Sequence, residues 1–242
     1  MSHWSQIEIA GKSADVFEPT TPNDNGWCLI HLHGHGMERM VEKTAFLEQY
    51  EKHGLRVICP HGKRSWWLDF VCKEFDAKMT PFVFLRNYVV PFMMERWNVT
   101  TSQIGLTGIS MGGQGVLHFA YRSPSEFPVV AAISPAVDFH NLYGQGLPID
   151  EMFPDKEAAR QATVLLHVNP LNWPKHQLIV CDPADVEWFE SSDRMKMKLS
   201  SSGIPCEYDL ETSAGGHTWD YFSAMAEKVV GFAVDGLQKA KR

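Results

Sequence analysis

The sequence predicts an α/β domain built on a mostly parallel sheet with helices on both faces. Three observations carry that expectation. Strand-like segments alternate with segments of helical spacing along nearly the whole chain. Most strand-like segments, such as Trp27 to Leu32 and Phe127 to Ser134, are continuous apolar runs, the pattern of strands buried on both sides. A glycine-rich turn, Thr107-Gly108-Ile109-Ser110-Met111-Gly112-Gly113, joins one such strand directly to an amphipathic helix.

Residues 5–18 alternate loosely around Gly11-Lys12 and read as two short edge strands. Pro19 to Gly26 is a loop by composition. Trp27–Leu32 is a strand closed by His33-Gly34-His35-Gly36. Residues 38–53 carry Met40, Val41, Phe46 and Leu47 at helical spacing, and Gly54 stops that helix. Leu55–Pro60 is a strand and 61–79 a loop with Trp66, Trp67 and Phe70. Phe82–Trp97 is a helix with a kink or break expected at Pro91. After the Ser110 strand and helix come a strand at Phe127–Ser134 and an irregular stretch, 135–175, with one helix near Asp155–Gln161. His176–Cys181 is a strand, Trp188–Ser201 a helix ended by Gly203, Cys206–Leu210 the last strand and Asp220–Leu237 the last helix. The stretch 135–175, after the sixth strand, is too long for a plain connection and is expected to form a small cap-like insertion within a single domain of residues 1–242.

At 242 residues the chain can bury one sizeable core, and 44% hydrophobic with 21% charged residues is ordinary for a globular protein. A formal net charge of −7 argues against a nucleic-acid partner, which calls for a basic patch. Met1 to Gln6 shows neither the basic nor the apolar region of a signal peptide, and no apolar run reaches the ~18 residues of a membrane-spanning helix. Cys28, Cys59, Cys72, Cys181 and Cys206 are scattered and odd in number, so they read as small hydrophobes in a reducing cytoplasm, the expected location.

Gly108 and Gly112 flank Ser110 in the G-x-S-x-G pattern of a nucleophile elbow. A turn that merely lets a helix pack can show the same five residues; the strand–turn–helix setting favours the elbow. A serine hydroxyl needs a base, and in α/β hydrolases the chain order is serine, acid, histidine. His217, in the loop before the last helix, is the candidate base. Asp182, Asp185 and Glu187 follow the His176–Cys181 strand and are the candidate acids. The usual spacing from strand to acid favours Asp185, while Asp182 can instead brace the turn and Glu187 face solvent. The oxyanion donors are expected to be the N–H groups of Met111 and of His35, with Gly34 as the alternative to His35.

These motifs resemble the esterase D, or putative esterase, family of α/β hydrolases. The likeness rests on His33–Gly36, on Pro91–Val99 running into Gly108–Gly113, on the Asp182–Glu187 turn and on Gly215-Gly216-His217-Thr218-Trp219-Asp220-Tyr221, with Arg64-Ser65-Trp66-Trp67 similar to the family's aromatic loop. The family often has a glycine where this chain has Ala184. The resemblance implies an α/β-hydrolase fold, a serine–acid–histidine triad, no cofactor and a small-molecule ester as substrate, with a short acyl group favoured. Trp66, Trp67 and Trp173, with Phe70, Tyr143, Met152 and Phe153, lie on loops expected at the edge that carries Ser110 and are the candidate pocket walls.

Three other readings compete. An acyltransferase would use the same triad with an alcohol in place of water. A metal-dependent hydrolase could be built on His31, His33 and His35, but neither H-x-H-x-D-H nor H-E-x-x-H occurs, so no metal is expected. A binding protein on a degenerate scaffold would have lost its serine or histidine, and both are present. Phosphate-loop and dinucleotide fingerprints are absent.

Overall fold

The computed structural model describes residues 4–241. Among them eight strands form one sheet: β1 (Trp4–Ile9), β2 (Lys12–Phe17), β3 (Cys28–Leu32), β4 (Arg56–Pro60), β5 (Ile104–Ile109), β6 (Val129–Ile133), β7 (His176–Val180) and β8 (Glu207–Asp209). Their order across the sheet is β1-β2-β4-β3-β5-β6-β7-β8. β1 and β2 pair antiparallel at one edge, β2 meets β4 antiparallel, and every pairing from β4 to β8 is parallel.

The helices are α1 (Thr44–Lys52), α2 (Pro81–Phe84), α3 (Val90–Trp97), α4 (Met111–Arg122), α5 (Ile149–Met152), α6 (Lys156–Gln161), α7 (Phe189–Ser201), α8 (Trp219–Ala224) and α9 (Ala226–Ala240). Because strand side chains alternate between faces, the central strands feed two cores. Cys28, Ile30, Leu32, Leu106, Val130, Ala132 and Ile179 pack on one face with α2, α3, α4 and α7. Leu29, Val129, Ala131, Ile133, Leu178 and Val180 pack on the other with α1, α8 and α9. Apolar residues on both sides of each strand explain why these strands read as unbroken hydrophobic runs. Cys28, Cys59, Cys72 and Cys181 are buried, Cys206 is half-buried, and all five are free thiols.

Three elements differ in detail from the sequence expectation. Pro91 does not break its helix. The chain stays helical from Pro81 to Trp97, with one wide π-turn at Leu85–Val89 just before the proline. The wide turn makes room where the proline ring would meet a carbonyl and where its missing N–H cannot close the ladder. The last helix is two, α8 and α9, jointed at Met225. The joint lets α8 set Phe222 against His217, ring centroids 5.1 Å apart, while α9 lies along the sheet. Within 135–175, α6 starts at Asp155, whose carboxylate accepts from Ala158 N–H at 2.8 Å, and the short α5 and 3₁₀ turns accompany it. No helix among the described residues is long and apolar enough to cross a membrane.

Close packing beneath the site joins α4 to the 61–79 loop. Trp67 is fully buried, and a Cβ at Gly115 would lie 2.4 Å from the Trp67 Cβ. Gly115→Ala therefore overpacks this contact and should lower stability by about 1–3 kcal/mol. Gly231→Ala, in α9 with nothing within 4 Å of the added Cβ, should raise it by about 0.5–1 kcal/mol through helix propensity. Thermal melts of the two variants check the pair: opposite shifts are expected.

Candidate active site

Ser110 sits between β5 and α4 with φ 56 and ψ −119, a left-handed conformation that is strained for a residue with a Cβ. The ladder holds it there: Ser110 N–H donates to Ile133 O at 2.8 Å, and its carbonyl accepts from Gln114 N–H at 3.0 Å and Ala136 N–H at 3.1 Å. The flanking glycines are required by close approach. A Cβ on Gly108 would lie 2.3 Å from Gly112 O, and one on Gly112 would lie 2.0 Å from Leu32 O. The elbow thus brings the first turn of α4, with its unpaired N–H groups and positive dipole end, to the carboxyl edge of the sheet beside Ser110.

His217 Nε2 lies 3.0 Å from Ser110 Oγ, and His217 Nδ1 lies 2.7 Å from Asp185 Oδ2. The carboxylate can only accept at Nδ1, so Nδ1 carries the proton and Nε2 is free to accept from the serine hydroxyl. Asp185 is fully buried at the end of β7. Its other oxygen accepts from the N–H groups of Glu187 at 3.1 Å and Trp188 at 3.0 Å. Burial pushes the Asp185 carboxyl up, but the hydrogen bond from His217, that ring's charge and the Trp188 N–H outweigh it and hold the group below its ordinary range.

The three carboxylates after β7 take different places. Asp185 meets His217. Asp182, also fully buried, accepts from Ala184 N–H at 2.7 Å, Ala214 N–H at 2.6 Å, Gly216 N–H at 2.8 Å and Ser213 Oγ–H at 2.8 Å. It ties the His217 loop to the tip of β7. Burial raises its carboxyl; those four donors more than reverse this, and its pKa is lowered. Glu187 is exposed and lines the cleft.

A cleft of about 270 Å³ opens beside Ser110 and His217. Trp66, one of the three expected tryptophans, lines it. Trp67 does not. It is fully buried against Gly62 and Gly115, and its Nε1–H donates to His33 O at 3.2 Å. Trp67 is thus a packing residue beneath the loop after β3, because two glycines leave the space its ring fills. Trp173 is also absent from the cleft wall; it is half-buried, with Lys175 Nζ 4.5 Å from its ring centroid. Phe70 and Phe153 stack on each other at 4.6 Å, away from the cleft. The 135–175 stretch instead contributes Leu142 and Leu147, and Glu38, Trp188, Trp219 and Phe222 complete the wall. Of these, Trp188 and Trp219 carried a signal, lying beside the acid turn and the His217 motif; Leu142 and Leu147 carried none.

Gly34, His35 and Gly36 line the cleft in the turn after β3, closed by Met37 N–H donating to Gly34 O at 3.1 Å. Gly34 is next to the nucleophile: a Cβ there would lie 3.4 Å from Ser110 Cβ. The loop is pinned at both ends. His33 donates from Nδ1 to Gly34 O at 2.8 Å and accepts at Nε2 from Gly62 N–H at 2.9 Å, while Arg39 pairs with the buried Asp15, which also takes His61 Nε2 at 2.9 Å. Both ring nitrogens of His33 are therefore committed to backbone. Among the described residues no group of three or more His, Cys, Asp and Glu side chains is placed to hold a metal ion.

The family model described as putative esterase matches residues 15–229. Three solved structures share the fold. An S-formylglutathione hydrolase from Agrobacterium tumefaciens superposes with TM-score 0.77 at 17% identity, over 97% of this chain and 94% of that one. The fluorophosphonate-binding serine hydrolase FphF of Staphylococcus aureus gives 0.73 at 17%, over 97% of each chain. A ferulic acid esterase gives 0.73 at 14%, over 96% of this chain and 97% of that one. No curated protein matches the sequence. The family match spans nearly the whole chain, and the sheet order, the elbow and the histidine loop agree with it: the chain belongs to the putative esterase family, an α/β-hydrolase-fold serine esterase acting on carboxylic esters.

Proposed function

We propose that this esterase cleaves short-acyl esters through a Ser110–His217–Asp185 triad and a covalent acyl-enzyme. The observation that carries the reading is the continuous hydrogen-bonded line from Ser110 Oγ through His217 to the buried Asp185. Ser110 Oγ attacks the ester carbonyl while His217 Nε2 takes its proton. Asp185 holds the ring in the Nδ1–H tautomer and balances the imidazolium that forms. The N–H groups of Met111 and His35 receive the tetrahedral oxyanion; the position of Met111 at the first turn of α4 and of His35 on the cleft wall supports their roles. His217 then protonates the leaving alcohol, and a water activated by the same ring releases the acid. The 135–175 stretch acts as a cap through Leu142 and Leu147. The size of the cleft, about 270 Å³, supports a small acyl group.

A fluorophosphonate probe should add one covalent mass to the protein at Ser110. Ser110→Ala should abolish labelling and lower kcat by ~10⁴-fold or more, leaving only binding and oxyanion stabilisation. Undiminished labelling of the variant would remove Ser110 from the mechanism. Over a series of p-nitrophenyl esters from acetyl to dodecanoyl, kcat/KM should peak between acetyl and butyryl; a maximum at long chains counts against the small pocket.

Asp182→Asn replaces an acceptor of four donors with an amide that accepts at one oxygen only. It should cost about 1–3 kcal/mol of stability and lower kcat more than it raises KM, because the His217 loop loosens. The sign with pH follows from a lowered folded-state pKa. The stabilisation by Asp182 is complete above the unfolded carboxyl value of ~3.9 and is lost as pH falls through the lower folded value. Denaturant melts should therefore show a constant gap between wild type and variant from about pH 5 to 8, closing below about pH 4.

A further inference from the structure

Apart from the histidines, the ionisable side chains of the cleft wall are two carboxylates among the described residues. Glu38, from the loop after β3, and Glu187, from the turn after β7, enter it from strands on either side of β5 and Ser110. Both are exposed, and the Glu38 carboxylate folds back over Gly36, where a Cβ would lie 2.5 Å from its oxygens. At the floor His31 is 0% exposed, with Nδ1 3.0 Å from Thr107 Oγ1. His31 Nε2 has no partner among the described residues.

Among the described residues no lysine or arginine belongs to the cleft wall. Burial keeps the rings of His31, His33 and His35 neutral, lowering the first to about 3 and the second to about 4. Two cations close by are paired outside the cleft: Arg39 with Asp15, and Arg64 in a fork with Glu74. A third, Lys43, is not itself in the wall but has its Nζ 3.7 Å from the centroid of the Trp219 ring, which is. Trp66 and Trp188 add further aromatic surface to the wall.

We propose that the cleft selects esters by the charge of their alcohol, taking those that bear an ammonium group ahead of neutral ones and rejecting those that bear a carboxylate. The inference rests on the reading of Ser110 as nucleophile. An ammonium group entering the cleft meets two carboxylates and aromatic faces, which attract cations electrostatically. A carboxylate there meets two like charges and, among the described lining residues, no lysine or arginine to take the place of its water.

Three acetate esters of similar size test this: those of choline, of 3,3-dimethylbutanol and of 4-hydroxybutyrate, followed by acid release and, in parallel, as competitors of p-nitrophenyl acetate. In low salt kcat/KM, or competition where turnover is slow, should fall in that order, with roughly tenfold between the ends. The ratio should shrink severalfold in Glu38→Gln/Glu187→Gln and in ~1 M salt, where the Debye length is about 3 Å. Both positions are exposed, so the variants should fold, and Glu38→Gln and Glu187→Gln singly should each give part of the change. Equal or reversed order in the wild type, or an order untouched by the double variant, overturns the proposal. Hydrolysis of p-nitrophenyl acetate that persists in Ser110→Ala would instead strike the triad reading, so the two failures are told apart.

Discussion

Everything at the carboxyl edge of the sheet depends on how closely α4 begins against the ends of β3 and β5. The gap between Gly112 and the Leu32 carbonyl admits no side chain, and Gly108 meets the Gly112 carbonyl in the same way. That contact forces Ser110 into its left-handed conformation and leaves the hydroxyl facing outward. It also puts the start of α4 beside the turn that follows β3, where Gly112 meets the backbone of Leu32 and His33. A single backbone approach therefore fixes the serine and the two turns around it before any side chain is considered. The strain at Ser110 persists because the Ile133, Gln114 and Ala136 hydrogen bonds over-determine it.

The base and its carboxylate share a different anchor, the tip of β7. Asp185 is held there by two backbone N–H groups, and Asp182, three residues earlier, gathers the loop that carries His217. The division of labour between these acids follows from donors that come from 30 residues further along. That is why the acid turn was only partly legible: spacing favoured Asp185 over Asp182 and Glu187, and the returning loop is what separates their partners. Ser110 and His217 were legible because their signals are local, a glycine-flanked serine between strand and helix and a histidine in the loop before the last helix.

The parallel sheet and most elements were legible for a related reason, though not the order of the strands across it. Burial on both faces writes itself into a strand as an unbroken apolar run, whatever the rest of the chain does. The walls of the cleft were not legible in the same way. Trp67 looked like a pocket residue because its loop leaves the sheet edge that carries Ser110, yet its environment is set by Gly62 and Gly115, and the latter lies on a helix the sequence places far away. Leu142 and Leu147 are undistinguished in a polar stretch, and only the path of 135–175 across the helical layer brings them to the cleft. The joint at Met225 was hidden as well, since its cause is the placement of Phe222 against His217 rather than any breaking residue.

The burial of the thiols has a consequence for covalent reagents. Burial raises the pKa of all five cysteines, Cys181 and Cys206 to about 12, so at neutral pH none presents an appreciable thiolate. Cys181 lies 3.6 Å from the Asp185 carboxylate, close enough that an adduct there would disable the site, yet it is both sealed and protonated. A thiol-directed electrophile or oxidant in solution therefore finds Cys181 closed to it, and the carboxylate beside it goes undisturbed even though a thiol stands directly behind it.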